Sequence, residues 1–352
     1  MDKVASPGFQ SWASRFPLVR AVARKDGERL FDLVSGFVYS QVLFAAVELD
    51  LLAYLQRGTS SIEDVARHCG LTPTRAESLL QATSAVGLTE IAPKGGYRLA
   101  RLGAASLGVP GLHDMIRHHN VFYRDLEDPV ALLRGETSPE LAQFWPYIRG
   151  ETAQDLPAET AARYSSLMRQ TQALVAEETL RHINLSRVRH LMDVGGGTGA
   201  FLKAVRANYP GIDLTLFDLP AVVAEADLGD NNICPLGGSF RDPLPQGADG
   251  ISLVRVLYDH SDETVRDLIR RVYDALPPGG QLIISEPMSG GANPTRSGDV
   301  YFSLYTMAMT TGRARSPDQH IDLLTSQRFE NIQFNATTRP FVTSCITASK
   351  PC

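Results

Sequence analysis

The fold of the chain is decided by residues 189–199, which read Arg-His-Leu-Met-Asp-Val-Gly-Gly-Gly-Thr-Gly. A short apolar run ends there in a cluster of glycines, and an amphipathic segment follows. That order predicts a buried strand, a tight turn and a helix. Glycines let a backbone turn sharply and approach a ligand without a Cβ in the way, and the next helix N-terminus offers free N–H groups. The stretch therefore predicts a binding site for a polar ligand.

A second acidic residue follows at a spacing that indicates a nucleoside. Twenty-five residues past Asp193, the apolar run 212–217 ends at Asp218. A carboxylate at such a strand end can accept hydrogen bonds from both hydroxyls of a ribose, as it does in dinucleotide-binding folds. The glycine turn is tighter than the Gly-x-Gly-x-x-Gly of those folds.

Together, the turn, the spaced acid and the flanking pattern resemble the S-adenosylmethionine site of class I methyltransferases. A glycine turn by itself is often only structural, and the combination is what makes the resemblance specific. The resemblance implies that S-adenosylmethionine is the cofactor. The residues that it implies as cofactor contacts are Asp193, Gly195, Gly197, Gly199, Asp218 and Leu219.

The composition restricts the class of protein. The chain has 352 residues, of which 43% are hydrophobic and 21% charged, as is typical of a globular protein with a sizeable core. Its formal net charge of −5 argues against sequence-independent binding to nucleic acid. The four cysteines are scattered without a Cys-x-x-Cys, so we expect neither disulfides nor a metal site. We recognise no signal peptide and no apolar run long enough to span a bilayer, and we expect a cytoplasmic protein.

The N-terminal region divides into an arm and a long apolar helix. Residues 1–27 are expected to form a loose arm, because Pro7, Gly8 and Pro17 argue against a regular element. Residues 28–55 have a helical pattern with apolar side chains on too many sides for a surface helix. That pattern favours an interface between two subunits of a homodimer. Burial within one chain is the alternative.

Residues 59–99 have the pattern of a winged helix, with two capped helices and a hairpin. This unit is common in DNA-binding proteins. Its second helix, however, carries Arg75 as its only cation, with Glu77 close to it, whereas a helix that reads DNA needs more positive charge. We therefore expect a dimerisation domain over residues 28–105 and no nucleic-acid partner. A winged-helix regulator that uses the cofactor only as a ligand remains an alternative.

Residues 106–185 are predicted to form a helical linker that lines the substrate site. His113, His118 and His119 could suggest a metal, but no carboxylate lies at ligand spacing, so a packed or solvent-facing set is favoured. The aromatic run 144–148 belongs either to the core or to the wall of an apolar pocket. A long helix is predicted over residues 159–182.

Residues 186–352 alternate between strand and helix patterns, which predicts a Rossmann-like α/β domain with a mostly parallel sheet. The last two strands follow each other closely and predict an antiparallel hairpin at the edge of the sheet. After Asp218, the predicted strands are 232–236, 250–257, 281–285, 332–336 and 341–348, and the predicted helices are 264–275, 299–310 and 317–327.

Nearly the whole chain resembles the small-molecule O-methyltransferases of the caffeate and acetylserotonin type. The matching segments are 193–199, 217–220, 238–240, 258–263, 277–280, Glu286 and 312–316. The resemblance implies that Ser239 and Phe240 lie against the adenine and that Arg255 belongs to the cofactor site. Segments 36–41, 254–260 and 285–291 are similar to the carotenoid-tailoring branch, which methylates the C1 hydroxyl of demethylspheroidene and hydroxyneurosporene.

Two departures from this family concern the proton of the acceptor. Members commonly have His-Asp-Trp, with the histidine as general base, where this chain has Tyr258-Asp259-His260. They also have a carboxylate where this chain has Ala314. A phenol, with a free pKa of about 10, is a poor base near neutral pH. An aliphatic tertiary alcohol fits this change, because its proton leaves only as the C–O bond forms.

The expected catalytic residues are Tyr258, Glu286 and His260. Tyr258 would hydrogen-bond the acceptor oxygen, and Glu286 would take the proton directly or through water. His260 is the second candidate for the base, and Glu286 could instead only orient Tyr258. An aromatic polyketide or a tetrapyrrole carbon is the alternative acceptor, for which Tyr258 could serve as an acid. The aromatic and Met-rich segment 301–309 fits any of these large apolar acceptors.

Overall fold

The computed structural model describes residues 2, 4–17, 19–144, 171–229 and 232–352. The chain divides into two compact units, and the boundary lies between Val109 and Pro110. The first unit begins with helices α1 (Pro7–Arg15) and α2 (Arg20–Glu48). The second unit contains the predicted α/β sheet.

Helix α1 lies where the sequence predicted a loose arm, so that prediction was wrong. The Ser6 hydroxyl accepts the Phe9 N–H at 3.3 Å and caps the helix. Pro7 occupies the first turn, where its missing N–H would have had no partner within the helix. The proline therefore starts a helix at this position and does not prevent one.

Helix α2 carries a large apolar surface that the described residues leave uncovered. Of its 29 residues only Ala46 and Val47 are buried. Leu33 and Phe37 are 74% and 70% exposed, and Leu30, Phe31, Val34 and Val38 are exposed as well. Within the first unit these side chains are therefore not buried, which favours the subunit interface over burial within one chain. By length and composition alone α2 could also cross a membrane, with a mean hydropathy of 1.7 over 18 residues, contrary to the expectation of no such run.

The rest of the first unit is the predicted pair of capped helices and hairpin. Its elements are α3 (Leu51–Leu55), α4 (Ile62–Cys69), α5 (Pro73–Ala85), β1 (Thr89–Ile91), β2 (Tyr97–Leu99) and α6 (Arg101–Leu107). Ser61 and Thr72 cap α4 and α5 by accepting backbone N–H groups. Strands β1 and β2 pair antiparallel. Leu51, Leu52 and Leu80 are fully buried and belong to the core of this unit.

The second unit begins with short helices and continues into the sheet domain. The helices are α7 (Leu112–Asp125), α8 (Pro129–Arg134), α9 (Leu141–Phe144) and α10 (171–182). Most of the predicted aromatic run, 145–148, lies outside the described residues. The first part of the predicted long helix, 159–170, does so too.

The sheet has the predicted mixture of parallel and antiparallel strands. Its strands are β3 (His190–Val194), β4 (Asp213–Asp218), β5 (Ile233–Gly237), β6 (Gly250–Val254), β7 (Gln281–Glu286), β8 (Glu330–Asn335) and β9 (Ser344–Ser349). Their order is β5-β4-β3-β6-β7-β9-β8. Strand β9 runs antiparallel to both β7 and β8, and the other pairs are parallel. The fold class is confirmed.

The helices of the sheet domain follow its strands, as predicted. They are α11 (Ala200–Asn208), α12 (Pro220–Glu225), α13 (Asp262–Ala275), α14 (Ser303–Ala308) and α15 (Pro317–Ser326). Apolar side chains of α11, such as Leu202, and of α13, such as Ile269, belong to separate buried clusters that also contain strand residues. The predicted helix 299–310 starts earlier, as a π-helical stretch over Arg296–Phe302.

Strand β6 is shorter than predicted because the backbone changes direction at Arg255. This residue has a φ of 57°, in the left-handed region that a side chain rarely adopts. A 3₁₀ turn over Leu257–Asp259 follows it. Parallel strands β3, β4, β6 and β7 thus end at one edge of the sheet, where open α/β sheets bind their ligands. Because these strands run in the same direction, the candidate residues at their ends lie together there.

Candidate active site

The glycine turn after β3 has the geometry that the sequence predicted. Gly195, Gly197 and Gly199 have φ values of 71°, 58° and 76°, all in the left-handed region that favours glycine. A Cβ at Gly196 would lie 2.5 Å from Asp193 Oδ2, so no side chain fits there. Helix α11 begins at Ala200, directly after the turn. The backbone N–H groups of this segment can therefore approach a ligand closely.

Asp193 lies buried beneath the turn and keeps one carboxylate oxygen unsatisfied. Its Oδ1 accepts the Ser252 hydroxyl at 2.6 Å. Its Oδ2 has no hydrogen-bond partner among the described residues, although it is shielded from water. Burial raises the pKa of Asp193 to about 7. A buried acceptor without a donor is costly, and a bound ligand that carries donors or positive charge would relieve this cost.

Asp218 lies at the end of β4 against the same turn. Its Oδ2 accepts the Gly197 N–H at 2.8 Å, and its Oδ1 accepts the Leu219 N–H at 2.7 Å. Burial raises the pKa of this half-buried carboxyl, and the two backbone N–H groups oppose that effect. Asp193, the glycines, Asp218 and Leu219 thus lie together as the sequence predicted.

Two aromatic rings lie beside this turn. Gly238 N–H donates to the Asp218 carbonyl at 2.8 Å, which places Ser239 and Phe240 next to the end of β4. The rings of Phe240 and His260 have centroids 5.1 Å apart in an edge-to-face arrangement. Burial, with the positive charge of Arg241, lowers the pKa of His260 to about 4, so its imidazole is neutral near pH 7. The pair offers an apolar surface for a planar group.

Tyr258 is a buried phenol held by a guanidinium. Arg255 Nη2 donates to the Tyr258 hydroxyl at 3.0 Å, and the guanidinium carbon lies 5.6 Å from the centre of the ring. Burial raises the pKa of Tyr258 above its usual value, so the phenol stays protonated. Arg255 was expected in the cofactor site, and in this structure its guanidinium contacts Tyr258.

Glu286 holds the backbone of Tyr258 and does not reach its hydroxyl in this structure. It is fully buried at the end of β7. Its Oε2 accepts the Tyr258 N–H at 3.0 Å. Its Oε1 lies 3.0 Å from Nε2 of His320, which is also fully buried. Of the two roles expected for Glu286, this geometry favours the orientation of Tyr258.

Sequence reasoning missed two residues that shape this site, Arg315 and His320. Arg315 is buried and donates to the carbonyl oxygens of Leu257 at 2.8 Å and His260 at 2.9 Å. It also donates to Asp262, so it clamps the turn that carries Tyr258. Arg315 lies in the matching run 312–316, whereas the only signal for His320 is its position one turn before the buried Leu324 on α15.

An aromatic cluster lies next to Tyr258. His118 Nε2 and His119 Nε2 lie 2.7 and 2.8 Å from the hydroxyls of Tyr305 and Tyr301. Burial lowers the pKa of His118 to about 3 and that of His119 to about 4, so both are neutral. These histidines are therefore packed in ring pairs. In the part of the chain that the structure describes, no group of three or more His, Cys, Asp or Glu residues is placed to hold a metal.

This cluster continues through Phe302 to the turn that carries Tyr258. The ring of Tyr301 lies 4.9 Å from that of Phe302, and the ring of Phe302 lies 6.3 Å from that of Tyr258. Both contacts are edge-to-face. Because the polar ends of Tyr301 and Tyr305 are paired with histidines, the cluster presents mainly ring surface. It can form one wall of an apolar pocket.

Comparison with known proteins agrees with this geometry. Residues 123–330 match the model of an O-methyltransferase domain, and residues 31–108 match that of an O-methyltransferase dimerisation domain. The chain belongs to the O-methyltransferase family. The predicted family resemblance and fold are thereby confirmed, and a regulator that only binds the cofactor is not supported.

Several members of the family are similar over nearly the whole chain. Demethylspheroidene O-methyltransferase of Cereibacter sphaeroides is 52% identical over 97% of this chain and 92% of that protein. The protein of the same name from Rhodobacter capsulatus is 51% identical over 96% of this chain and 85% of that protein. The crystal structure of human N-acetylserotonin methyltransferase in complex with SAM has a TM-score of 0.78 and 27% identity, and the match covers 93% of this chain and 98% of that one.

The site fits the cofactor of this family. The glycine turn lets the backbone approach a ligand closely. The unsatisfied Oδ2 of Asp193 and the carboxylate of Asp218 are acceptors for a cationic nucleoside. The chain is an O-methyltransferase that uses S-adenosylmethionine.

Proposed function

We propose that this enzyme transfers the methyl group of S-adenosylmethionine to the C1 tertiary hydroxyl of an acyclic carotenoid. The observation that carries this acceptor is the buried, protonated Tyr258, which stands where most of the family has an imidazole base. An imidazole base can deprotonate an acidic phenol, whereas it cannot ionise an aliphatic alcohol. The identity of 52% to demethylspheroidene O-methyltransferase supports the same acceptor.

The cofactor is held by residues at the ends of β3, β4 and β5. Asp218 accepts the ribose hydroxyls, the glycine turn admits the ligand, and Phe240 with Ser239 lies against the adenine. When bound, the cofactor supplies an electrophilic methyl group on a sulfonium. The full set of proposed cofactor residues is Asp193, Gly195, Gly197, Gly199, Asp218, Leu219, Ser239, Phe240 and Arg255.

Tyr258 holds the acceptor hydroxyl in line with the methyl group. Its oxygen already accepts one hydrogen bond from Arg255, and its second lone pair can accept the hydroxyl proton of the substrate. This contact turns a lone pair of the acceptor oxygen toward the methyl group, so the gain comes mostly from positioning. The protonated ether that forms is a strong acid, so the proton leaves late, to His260 or to water. Glu286 orients the turn that carries Tyr258.

The aromatic cluster of α7 and residues 301–305 binds the polyene. The hydroxyls of Tyr305 and Tyr301 are paired with Nε2 of His118 and His119, so each hydroxyl already has a polar partner beside an apolar chain. Ring faces and edges pack well against a conjugated hydrocarbon. A long apolar acceptor suits this wall better than a small polar phenol does.

A methyl-transfer assay over a panel of acceptors tests this proposal. The panel contains a 1-hydroxy acyclic carotenoid in detergent micelles, the same carotenoid without the hydroxyl, caffeate and a tetrapyrrole, each with S-adenosylmethionine labelled in its methyl group. We expect label in the ether of the hydroxylated carotenoid and none in the carotenoid without the hydroxyl. Transfer only to caffeate or to the tetrapyrrole would contradict the proposed acceptor.

A further inference from the structure

A buried polar pair lies behind Tyr258, and the proposed function leaves one of its members without a role. His320 on α15 and Glu286 on β7 are both 0% exposed. His320 Nε2 lies 3.0 Å from Glu286 Oε1, and Glu286 Oε2 accepts the Tyr258 N–H at 3.0 Å. The carboxylate therefore lies between an imidazole and the backbone of Tyr258.

The second ring nitrogen of His320 indicates where the proton is. Nδ1 is buried and has no hydrogen-bond partner among the described residues. Nε2 and Glu286 Oε1 form no aligned hydrogen bond in this structure either, but they lie 3.0 Å apart, within hydrogen-bonding distance of each other. A proton on Nδ1 would be a buried donor without an acceptor, which is unfavourable. A carboxylate can only accept, so the nitrogen that faces it must carry the proton. The 3.0 Å approach thus favours a proton on Nε2.

We propose that His320 is a positioning residue that acts through Glu286 on Tyr258. Its Nε2 lies 3.0 Å from Oε1 of a fully buried carboxylate, so a small rotation of the ring turns an Nε2–H toward Oε1 while Oε2 holds the Tyr258 N–H. Without the imidazole, Oε1 has no donor within reach, and the carboxylate is no longer held in place. This change releases the turn that carries Tyr258. The inference rests on the proposed role of Tyr258 in holding the acceptor.

The position of His320 is built into the start of α15. Ser316 and Gln319 form a capping box, with Ser316 Oγ accepting the Gln319 N–H at 3.2 Å and Gln319 Oε1 accepting the Ser316 N–H at 2.9 Å. The preceding residue, Arg315, donates to the Leu257 carbonyl at 2.8 Å. The helix start and the Tyr258 turn are thereby tied together, with His320 one turn into the helix.

Steady-state kinetics of five variants test this role. In His320→Phe we expect kcat to fall about tenfold or more, because a displaced turn misplaces the acceptor, with an unchanged KM for S-adenosylmethionine. His320→Gln should recover most of kcat, since its amide can donate to Oε1. In a Glu286→Gln background, His320→Phe should add little. Leu324→Ala, in a fully buried position on the same helix, is the control for packing and should lower thermal stability without lowering kcat.

A result in which His320→Phe behaves like Leu324→Ala would overturn the proposal. A second measurement needs no acceptor, so it separates a failure of this inference from a failure of the proposed function. In ¹⁵N-histidine spectra of the full-length protein, the His320 signals, identified by their loss in His320→Phe, should show a proton on Nε2 and should shift in Glu286→Gln. A proton on Nδ1, or no shift in Glu286→Gln, would also overturn it.

Discussion

Gly312 passes the main chain of Tyr258 so closely that a Cβ on Gly312 would lie 2.2 Å from the Tyr258 carbonyl oxygen. No side chain can be accommodated at that distance without moving the backbone of the turn that carries Tyr258. Thr311 adds a hydrogen bond from its hydroxyl to the Asp259 carbonyl at 2.9 Å. The segment before Arg315 therefore braces the turn from one side, as Glu286 does through the Tyr258 N–H.

We expect Gly312→Ala to displace Tyr258 and lower turnover by up to about 100-fold, the scale of a misplacement of about 1 Å. The melting temperature should also fall, since overpacking typically destabilises a protein by about 1–3 kcal/mol. Gly211→Ala is the matched control, because a Cβ there meets nothing within 4 Å. Equal turnover of the two variants would show that the close approach does not position the turn.

Asp218→Ala should weaken the binding of S-adenosylmethionine. Each hydrogen bond from a ribose hydroxyl to the charged carboxylate contributes about 1.5–3 kcal/mol, so we expect a loss of about tenfold or more. Asp218→Asn keeps one acceptor oxygen and should lose less. Asp213→Ala, at the exposed start of the same strand, is the control. Titration calorimetry that finds the wild-type affinity in a folded Asp218→Ala protein would remove the cofactor assignment.

The buried carboxyl of Asp193 predicts how stability depends on pH. Its pKa in the folded protein is about 7, above its ordinary value of 3.8, so the folded state binds the extra proton between pH 4 and 7. The free energy of unfolding therefore falls as pH rises through that window. Asp193→Asn removes this term, so its melting temperature relative to wild type should be several degrees higher at pH 8 than at pH 4.5. Thermal scans of the ligand-free proteins that show no such difference would contradict the buried charge.

The exposed face of α2 predicts a homodimer. Leu33 and Phe37 are 74% and 70% exposed, and they lie within residues 31–108, which match the dimerisation domain. We expect Leu33→Glu with Phe37→Glu to convert the dimer to a monomer in sedimentation at micromolar concentration, since two charges would have to be desolvated at the interface. Val130→Glu, at an exposed apolar position outside that match, should stay dimeric. A wild-type protein that sediments as a monomer would refute the interface.

The parts of the site that follow from local pattern were predictable. Asp193, the glycine turn and Asp218 lie at the ends of adjacent parallel strands, and parallel pairing places such ends at one edge of a sheet. Helix α1 was missed because it depends on the Ser6 cap, which allows Pro7 to begin a helix. The bend at Arg255, with its φ of 57°, could not be predicted, because this backbone conformation is uncommon for any residue but glycine and no glycine stands there.

The partner of Glu286 could not be predicted for a different reason. His320 reaches Glu286 only because α15 packs onto the sheet, and no spacing rule links a helix residue to a strand residue that far away in the chain. The clamp of Arg315 on the Leu257 and His260 carbonyls is likewise a tertiary contact. Residue type indicated the candidate groups near Tyr258, but packing decides which of them reach its hydroxyl and which reach its backbone.

The most direct test of a positioned tertiary alcohol is the single-turnover rate of methyl transfer to a 1-hydroxy acyclic carotenoid in Tyr258→Phe and in His260→Ala. The affinity for S-adenosylmethionine is measured in the same preparations. We predict that Tyr258→Phe keeps its cofactor affinity and loses roughly 10²-fold in rate, because the hydrogen bond that positions the acceptor hydroxyl is lost. His260→Ala should lose much less, because the pKa of about 4 makes His260 a weak base. A folded His260→Ala protein without activity, beside an active Tyr258→Phe, would contradict this mechanism and make His260 the base.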